Sequence, residues 1–437
     1  MNKNQTQFFM GTSRIDVTPA VGTFLSGFGS RNKPSDGVYH PLSAVISFLS
    51  DGNTDVLLVS MEWLGFYDLT KPFRAALSTV TGIAPDRIFL MATHTHCGPA
   101  LPRPVDIRRH DAIDDLYFDS VKTKLCKAAE KAMQSRKAVR LFFSQGWCGF
   151  AASRRKPDGR GGVEWKPTLD APHDHRVPVI VAKTMRGKVF AVLFGYACHP
   201  TGAGDVNQIG GGYVGYAYDY LEKELGEAKA AFFQGGGGDQ KPFVRNPESG
   251  DFRRLSLAEV EMLGHRLGLA VMRAIHSEDG FEIVHPLTVK QSMISIPSEQ
   301  PDRQRLNKAL QDSQPRVRNW ARHNLDLLDC NKPLNLEHSL ESQSLLFGRS
   351  LAFVALAGEI TSELALNIQH RLEKRFDRVV IAGYANHIIG YITSSRQHRE
   401  GGYEVVDFAR NWLLSGSFDR NSEQKIIRML LKDLQFT

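Results

Sequence analysis

Two histidines separated by one residue, His94 and His96, follow the apolar run Ile88–Ala92 and precede Gly98-Pro99. Side chains two apart on a strand project to the same face, so both imidazoles are expected to converge on one ion, or on an ion and its substrate. An isolated pair of this kind more often caps a buried strand, because the tripeptide alone supplies too few ligands. The interpretation therefore depends on the rest of the chain.

Three further apolar, strand-like runs also lead to a side chain that can bind a metal. They are Val189–Phe194 before His199, Leu351–Leu356 before Glu359, and Val379–Ala382 before Tyr391. Strand ends hold polar groups rigidly while loops leave an opening, which is what a catalytic pocket requires. Two histidines, a glutamate and a tyrosine suit zinc with an exchangeable position. The residues alone leave a zinc site and a chance pattern both open.

Seven short motifs occur in a fixed order along nearly the whole chain. They are GTSRIDVTP from Gly11, ATHTHCGP from Ala92, SRRKP from Ser153, ACHP from Ala197, FQGGGGDQKP from Phe233, AGE from Ala357 and GYIT from Gly390. Their order and spacing resemble those of the neutral/alkaline ceramidase family, whose members cleave an amide bond with a bound zinc. The resemblance concerns the family and does not by itself imply that ceramide is the substrate.

The resemblance implies a ligand set and two residues at the reacting group. One zinc per chain would be held by His94, His199, Glu359 and Tyr391, with Tyr391 also counted as catalytic. His96 and Arg154 would contact the reacting group of the substrate, and Arg155 is the alternative to Arg154 if the motif shifts by one residue.

The glycine-rich motif supplies further candidates and one departure from the family. Asp239 is a candidate for orienting water, and the amides of Gly237 and Gly238 for cradling an anion, although both features are as often turn-formers. Lys241 occupies the place of the family's catalytic serine. Lysine is a flexible cation rather than a hydroxyl, so its expected role is anion binding or, if its pKa is depressed, base chemistry.

Cations gather in loops beside these motifs, and they favour an anionic ligand. The set comprises Arg103, Arg108, Arg109, Arg154, Arg155, Lys156, Arg160, Lys241 and Arg245. We therefore expect a small polar or anionic substrate, with Arg155 and Lys241 as substrate-binding residues.

Apolar periodicity predicts an α/β fold with a mixed β-sheet core flanked by helices, similar to the catalytic domain of the ceramidase family. Since the motifs run from Gly11 to Tyr403, we expect a single metallohydrolase domain over residues 8–437, without the C-terminal immunoglobulin-like domain of full-length ceramidases. Helices are predicted over 114–134, 214–225, 258–276 and 363–375. Strands are predicted over 56–61, 88–93, 140–143 and 177–184, with a hairpin of 344–347 and 351–356.

Composition restricts the class of protein. A chain of 437 residues with 42% hydrophobic content can bury a large core, and its net charge of +7 is a mild excess. No transmembrane run, secretory signal or nucleic-acid-binding pattern is visible. Five cysteines without a C-x-x-C pair fit a reducing compartment. We expect a cytoplasmic enzyme with a small-molecule amide substrate.

The sequence thus predicts a zinc-dependent hydrolase that cleaves an amide by metal-activated water. Two alternatives remain: a true ceramidase acting on N-acylsphingosine, and a non-catalytic relative that keeps the metal and ligand pocket. A metallo-β-lactamase-like site is excluded because Gly98 and Pro99 interrupt the required H-x-H-x-D-H motif.

Overall fold

A computed structural model describes residues 7–29, 31–102, 114–204 and 206–435 of the chain. The helices are α1 (Thr70–Thr81), α2 (Asp115–Gln134), α3 (Gly212–Leu225), α4 (Leu257–Ile275), α5 (Arg303–Ala309), α6 (Pro315–Asp329), α7 (Ser362–Leu372), α8 (Ser395–Glu400), α9 (Phe408–Asn411) and α10 (Ser422–Asp433). Short 3-10 helices cover Tyr67–Leu69 and Pro85–Arg87, and a π-helical turn covers Tyr403–Asp407.

Twenty strands form the sheets in the described ranges. They are β1 (Gln7–Asp16), β2 (Gly37–Val38), β3 (Ser43–Ser50), β4 (Asp55–Met61), β5 (Ile88–Ala92), β6 (Lys137–Trp147), β7 (Ala151–Pro157), β8 (Val163–Thr168), β9 (Arg176–Thr184), β10 (Val189–Tyr196), β11 (Gln208–Ile209), β12 (Lys229–Gln234), β13 (Gln240–Pro242), β14 (Phe281–Ile283), β15 (Leu287–Pro297), β16 (Glu337–Phe347), β17 (Leu351–Leu356), β18 (Glu359–Ile360), β19 (Arg378–Ala382) and β20 (Tyr391–Ile392).

The largest sheet has nine strands, in the order β12-β10-β9-β6-β1-β3-β4-β5 with β14 beside β6. The pairs β10–β12 and β4–β5 are parallel and the others are antiparallel. A second sheet, β15-β16-β17-β19, has one parallel pair, β17–β19. The predicted mixed α/β architecture is confirmed.

The two sheets pack face to face, and helices cover their outer surfaces. Phe233 and Phe89 of the larger sheet meet Phe353 of the smaller at ring-centroid distances of 5.0 and 6.4 Å. This apolar layer explains why β5 and β17 are buried along their whole length and read as continuous apolar runs rather than alternating ones. Helices α1 and α2 cover one end of the larger sheet and α3 and α4 the other.

The carboxyl ends of four strands meet at one place. The amide of Gly383, after β19, donates to the carbonyl of Gln234 at the end of β12, and Ala92, which ends β5, donates to the Tyr384 carbonyl. Gly358, after β17, accepts from the Tyr384 amide. Side chains that follow these strands are therefore brought together from distant parts of the sequence.

The predicted helices and strands are present, and the hairpin forms as β16 and β17, with Phe347 opposite Leu351. Most ends shift by one to three residues, but β6 and β16 are much longer than the predicted strands 140–143 and 344–347. One local prediction is wrong: β5 ends at Ala92, so His94 and His96 do not lie on a strand. No helix among the described residues has the length and apolar character needed to cross a bilayer. The single-domain boundary and the cytoplasmic location stay predictions.

Candidate metal centre

The left-handed backbone conformation of His94 directs its side chain into the site, since the residue does not lie on a strand. Its φ is 66°, in the left-handed region that few non-glycine residues adopt. The amide of His94 donates to the Trp63 carbonyl (2.9 Å), and its ring Nδ1 donates to the Leu64 carbonyl (2.7 Å). With the proton fixed on Nδ1, the Nε2 lone pair is directed into the site.

His199 follows β10 and is held in the same manner. Its Nδ1 donates to the carbonyl of Gly237 at 2.7 Å, and its amide donates to the Gln240 carbonyl at 3.1 Å. Burial lowers the pKa of the His199 imidazole to about 4, so the ring is neutral at pH 7. Both histidines thus have the tautomer of a metal ligand, with Nε2 unprotonated.

Glu359 and Tyr391 come from the short strands β18 and β20, which pair in parallel with Glu359 directly opposite Tyr391. Both side chains are buried. Burial opposes ionisation of Glu359, but the neighbouring His94 and His199 hold the pKa of its carboxyl well below the usual range. Burial raises the pKa of the Tyr391 phenol well above its ordinary value.

Four donor atoms from these residues converge. Glu359 Oε2 lies 3.4 Å from His94 Nε2 and 3.3 Å from His199 Nε2. The Tyr391 hydroxyl lies 3.4 Å from His199 Nε2. Two imidazole lone pairs and a carboxylate oxygen are all acceptors, so their close approach is unfavourable unless a cation lies between them. The donor set therefore fits a metal ion.

His96 lies beside this set but is held differently. Its ring centroid is 4.9 Å from that of His94 and 5.7 Å from that of His199, yet neither ring nitrogen has a hydrogen-bond partner among the described residues. Burial, followed by His94 and His199, lowers the pKa of His96 well below its ordinary value. The ring packs edge-on against Phe28 at 4.9 Å. A buried, neutral imidazole without a partner is available to a ligand of the site.

Arg154 lies on the far side of Tyr391, and a buried glutamate holds it. Its Cζ atom is 5.4 Å from the Tyr391 ring centre and 4.4 Å from that of Trp165. Its Nε donates to Glu404 at 2.6 Å, while Nη2 has no partner among the described residues. Arg155 Nη1 donates to the other oxygen of Glu404, also at 2.6 Å. Two arginines therefore share one carboxylate.

Comparison with known proteins finds relatives of the chain by sequence and by fold. No protein-family model matches the chain. Neutral ceramidase A of Dictyostelium discoideum is 26% identical to it over 268 residues, which cover 57% of this chain and 38% of that protein. The chain thus matches well under half of the length of this relative. The crystal structure of neutral ceramidase from Pseudomonas aeruginosa superposes with a TM-score of 0.76 at 16% identity, over 98% of this chain and 74% of that one.

A second solved structure, a ceramidase complexed with C2, gives a TM-score of 0.75 at 16% identity, over 98% of this chain and 75% of that one. This chain has the neutral ceramidase fold. The predicted resemblance to the neutral ceramidase family is confirmed.

Within this neutral ceramidase fold, the glycine motif does not form the anion cradle that was expected. The amides of Gly237 and Gly238 donate to the carbonyls of Gly235 and Ile360, both at 2.8 Å. A Cβ on Gly238 would lie 2.7 Å from the Glu359 carbonyl oxygen, so glycine is required there for close packing. The substrate-binding prediction for both glycines is wrong, because their amide hydrogens are already used inside the protein.

Asp239 is also engaged by the protein itself. One carboxylate oxygen accepts from the Ser362 amide, at the start of α7, and from Gln240, both at 2.9 Å; the other accepts from Gln397 at 2.8 Å. These contacts satisfy both oxygens and place the group at a helix N-terminus. A direct role in orienting water is not supported, and Asp239 instead ties together the segments that carry the site.

Arg154 and Arg155, the two candidates for contact with the substrate, have different surroundings. Arg155 Nη2 donates to the Gly401 carbonyl at 2.8 Å and lies 3.3 Å from Glu400, so its guanidinium faces the loop after α8. Arg154 faces Tyr391 and the metal centre. The loop residues Arg103, Arg108 and Arg109 lie outside the described residues.

Sequence reasoning missed three residues near the centre. Glu404 anchors both arginines, Tyr384 packs its ring 4.2 Å from that of His94, and Phe28 covers His96. Tyr384 adopts a positive φ of 56°, and its buried hydroxyl has no hydrogen-bond partner among the described residues. Only Glu404 had a local signal, as an acidic residue within the apolar stretch Tyr403–Val406.

Proposed function

We propose that this protein is a zinc-dependent amide hydrolase with one zinc per chain, held by His94, His199, Glu359 and Tyr391. The convergence of these four donors is the observation that carries the proposal. Zinc bonds of about 2.0–2.1 Å in a tetrahedron separate neighbouring donors by about 3.3–3.4 Å. The separations of 3.3, 3.4 and 3.4 Å between the converging atoms match that spacing.

The hydrogen bonds of the histidines support this ligand set over one that includes His96. His94, His96 and His199 all place a ring nitrogen within 4.8 Å of one another, so each is a geometric candidate. A ligating histidine normally donates its second N–H to a carbonyl or carboxylate. His94 and His199 do so, and His96 does not. We therefore assign His96 to the substrate rather than to the metal.

The chemistry follows from the residues around the centre. A zinc ion, when bound, polarises a carbonyl and lowers the pKa of water towards about 7. His96, neutral and without a partner, accepts the proton released by the attacking water and returns it to the departing amine. Arg154 Nη2 has no hydrogen-bond partner among the described residues. The guanidinium of Arg154 therefore offsets negative charge that develops near Tyr391.

We further propose that the substrate is a small polar or anionic amide rather than ceramide. Lys241 stands where sphingolipid-cleaving relatives carry a serine, and a cation next to the site favours an anion. Arg155 is not included as a substrate-binding residue, since Glu404, Glu400 and backbone carbonyls occupy its guanidinium. Hydrolysis of N-acylsphingosine, and a metal-binding role without catalysis, are the competing functions.

Metal analysis together with an amine-release assay tests the proposal. Purified protein is expected to contain about one zinc per chain and to release free amine from a panel of N-acylated amines, ω-amino acids and sugars. His94→Ala is expected to lose both zinc and activity. Zinc without hydrolysis of any amide would favour the non-catalytic function, and efficient cleavage of long-chain ceramide alone would favour the true ceramidase.

A further inference from the structure

A pocket of about 330 Å³ lies beside the metal centre and has an unusual wall. Three aromatic rings, from Phe28, Trp165 and Phe252, line it together with the ammonium-bearing side chain of Lys241. Val244 and Leu255 add aliphatic surface. Thr201, Asp251, Arg253 and Arg254 add polar and charged groups to the wall. Concave sites of this size that combine apolar walls with polar groups are typical of small-molecule binding.

Lys241 reaches this pocket without an acidic partner. Its Nζ lies 4.6 Å from the ring centre of Phe252 and 5.8 Å from that of Trp165, and it makes no hydrogen bond or ion pair with any described residue. Arg253, which also lines the pocket, is paired with Glu259 at 2.5 Å. Ring faces stabilise an ammonium only partly, and its three N–H donors still require acceptors.

The pocket shares two of its walls with the catalytic residues. The Phe28 ring packs against His96 at 4.9 Å, and the Trp165 ring lies 4.4 Å from the guanidinium carbon of Arg154. Thr201, two residues after the ligand His199, also lines the pocket. A molecule anchored at Lys241 therefore lies against two rings that contact His96 and Arg154.

We infer that this pocket binds a carboxylate of the substrate on Lys241, with an apolar spacer between the carboxylate and the scissile amide. The inference rests on the proposed amide hydrolysis and specifies its substrate class. Arg253 and Arg254 also line the pocket, but Arg253 is paired with Glu259 and Arg254 also has a partner within the chain. A carboxylate is therefore favoured over a phosphate, since Asp251 on the same pocket wall opposes a second negative charge. The aromatic walls suit methylene groups in the spacer.

A graded series of N-acetyl-ω-amino acids tests the inference. Substrates with one to five methylenes between amide nitrogen and carboxylate are compared with the matching primary carboxamides, which carry no charge. One spacer length is expected to give the highest kcat/KM, with a clear preference over its carboxamide. Lys241→Met keeps the side-chain stem and removes the charge, and it is expected to raise KM for that carboxylate about 10- to 100-fold.

Two control variants distinguish loss of the Lys241 charge from a folding defect. Lys241→Arg is expected to retain the carboxylate preference, and Lys166→Met, which changes an exposed lysine next to Trp165, is expected to leave all constants unchanged. Equal hydrolysis of carboxylates and carboxamides, or an unchanged KM in Lys241→Met, would overturn the inference. The proposed amide hydrolysis would not be affected by either result. Preference for N-acetylphosphoethanolamine over every carboxylate would also overturn the inference. Failure to cleave any amide would instead reject the proposed function.

Discussion

At the scale of single residues, three buried histidines have different tasks because their second nitrogens have different partners. The Nδ1 atoms of His94 and His199 donate to backbone carbonyls, whereas His96 has no hydrogen-bond partner at either nitrogen within the described part of the chain. We therefore expect His96→Ala to retain about one zinc per chain and to lower kcat by about 10²- to 10⁴-fold. Metal analysis and steady-state kinetics on the same preparation measure both quantities.

A variant of a proposed metal ligand, His199→Ala, provides the comparison for the zinc content of His96→Ala. His199→Ala removes a donor atom and is expected to weaken zinc binding by at least about 10- to 100-fold. If His96→Ala lost zinc to the same degree, His96 would be a ligand and its assignment to the substrate would be wrong.

Tyr391 is the least usual of the proposed ligands, because burial raises the pKa of its phenol well above the ordinary value. Loss of this hydroxyl leaves three donors, which is enough to keep zinc in a catalytic site. Tyr391→Phe is expected to keep most of its zinc while kcat falls about 10- to 100-fold. Wild-type turnover in this variant would remove Tyr391 from the reaction.

The charge of Lys241 predicts a pH dependence. Burial, followed by the charge of Arg154, lowers the pKa of the Lys241 ammonium to about 8. The cationic form therefore dominates below pH 8 and is lost above it. Other charged or titratable groups near the ammonium are Cys198, Asp251, Arg253 and Arg254.

We expect the ratio of kcat/KM for a carboxylate substrate to that for its carboxamide to be constant below about pH 7.5 and to fall as the pH rises through 8. Ionisations that affect only the chemical step change both kcat/KM values equally, so they do not change this ratio. A ratio that stays constant to pH 9.5 would mean that a different cation holds the carboxylate.

At the scale of elements, the positions of the catalytic groups depend on close backbone contacts. Gly27 has a φ of 95°, and a Cβ there would lie 2.5 Å from the His96 ring. Gly27→Ala is therefore expected to displace His96 and lower kcat at least about tenfold, with zinc retained. Gly22 provides a matched control, since its φ of 101° imposes similar backbone strain but a Cβ would meet no atom within 4 Å. Equal loss of activity in Gly22→Ala would mean that strain, not displacement, is responsible.

The elements themselves were largely predictable, while the geometry at their ends was not. Runs such as Leu351–Leu356 identify buried strands, and Gly348 identifies the turn between β16 and β17. The left-handed backbone of His94 has no local signal, because tertiary contacts of its amide and ring with Trp63 and Leu64 impose it. The role of Gly238 was predicted incorrectly for the same reason, because its amide partner, the Ile360 carbonyl, comes from a remote chain segment; the Gly237 amide is used locally, by the Gly235 carbonyl.

At the scale of the whole molecule, the site joins segments from Phe28 to Glu404. The candidate ligands could be found from sequence because a metal demands particular residue types. Their supporting contacts could not, since a buried ion pair imposes no fixed spacing. Arg154 and Glu404 are 250 residues apart in sequence and 2.6 Å apart in the structure.

The cluster of Arg154, Arg155 and Glu404 links β7 to the π-helical turn Tyr403–Asp407. All three side chains are at most 4% exposed. Glu404→Gln keeps the shape but leaves the buried Arg154 without an anion and Arg155 with only the more distant Glu400, so the free energy of unfolding is expected to fall by about 3–5 kcal/mol.

Glu400→Gln serves as the control for this prediction. Glu400 is 18% exposed and lies 3.3 Å from Arg155, so solvent compensates for the lost charge and the expected change is about 0–1 kcal/mol. Urea denaturation of wild type and both variants measures the two effects. Equal, small losses would show that the arginines do not depend on Glu404. Ring packing of Trp165, on the neighbouring strand β8, against Tyr403 would then hold the C-terminal segment in place, since the two ring centroids are 5.1 Å apart.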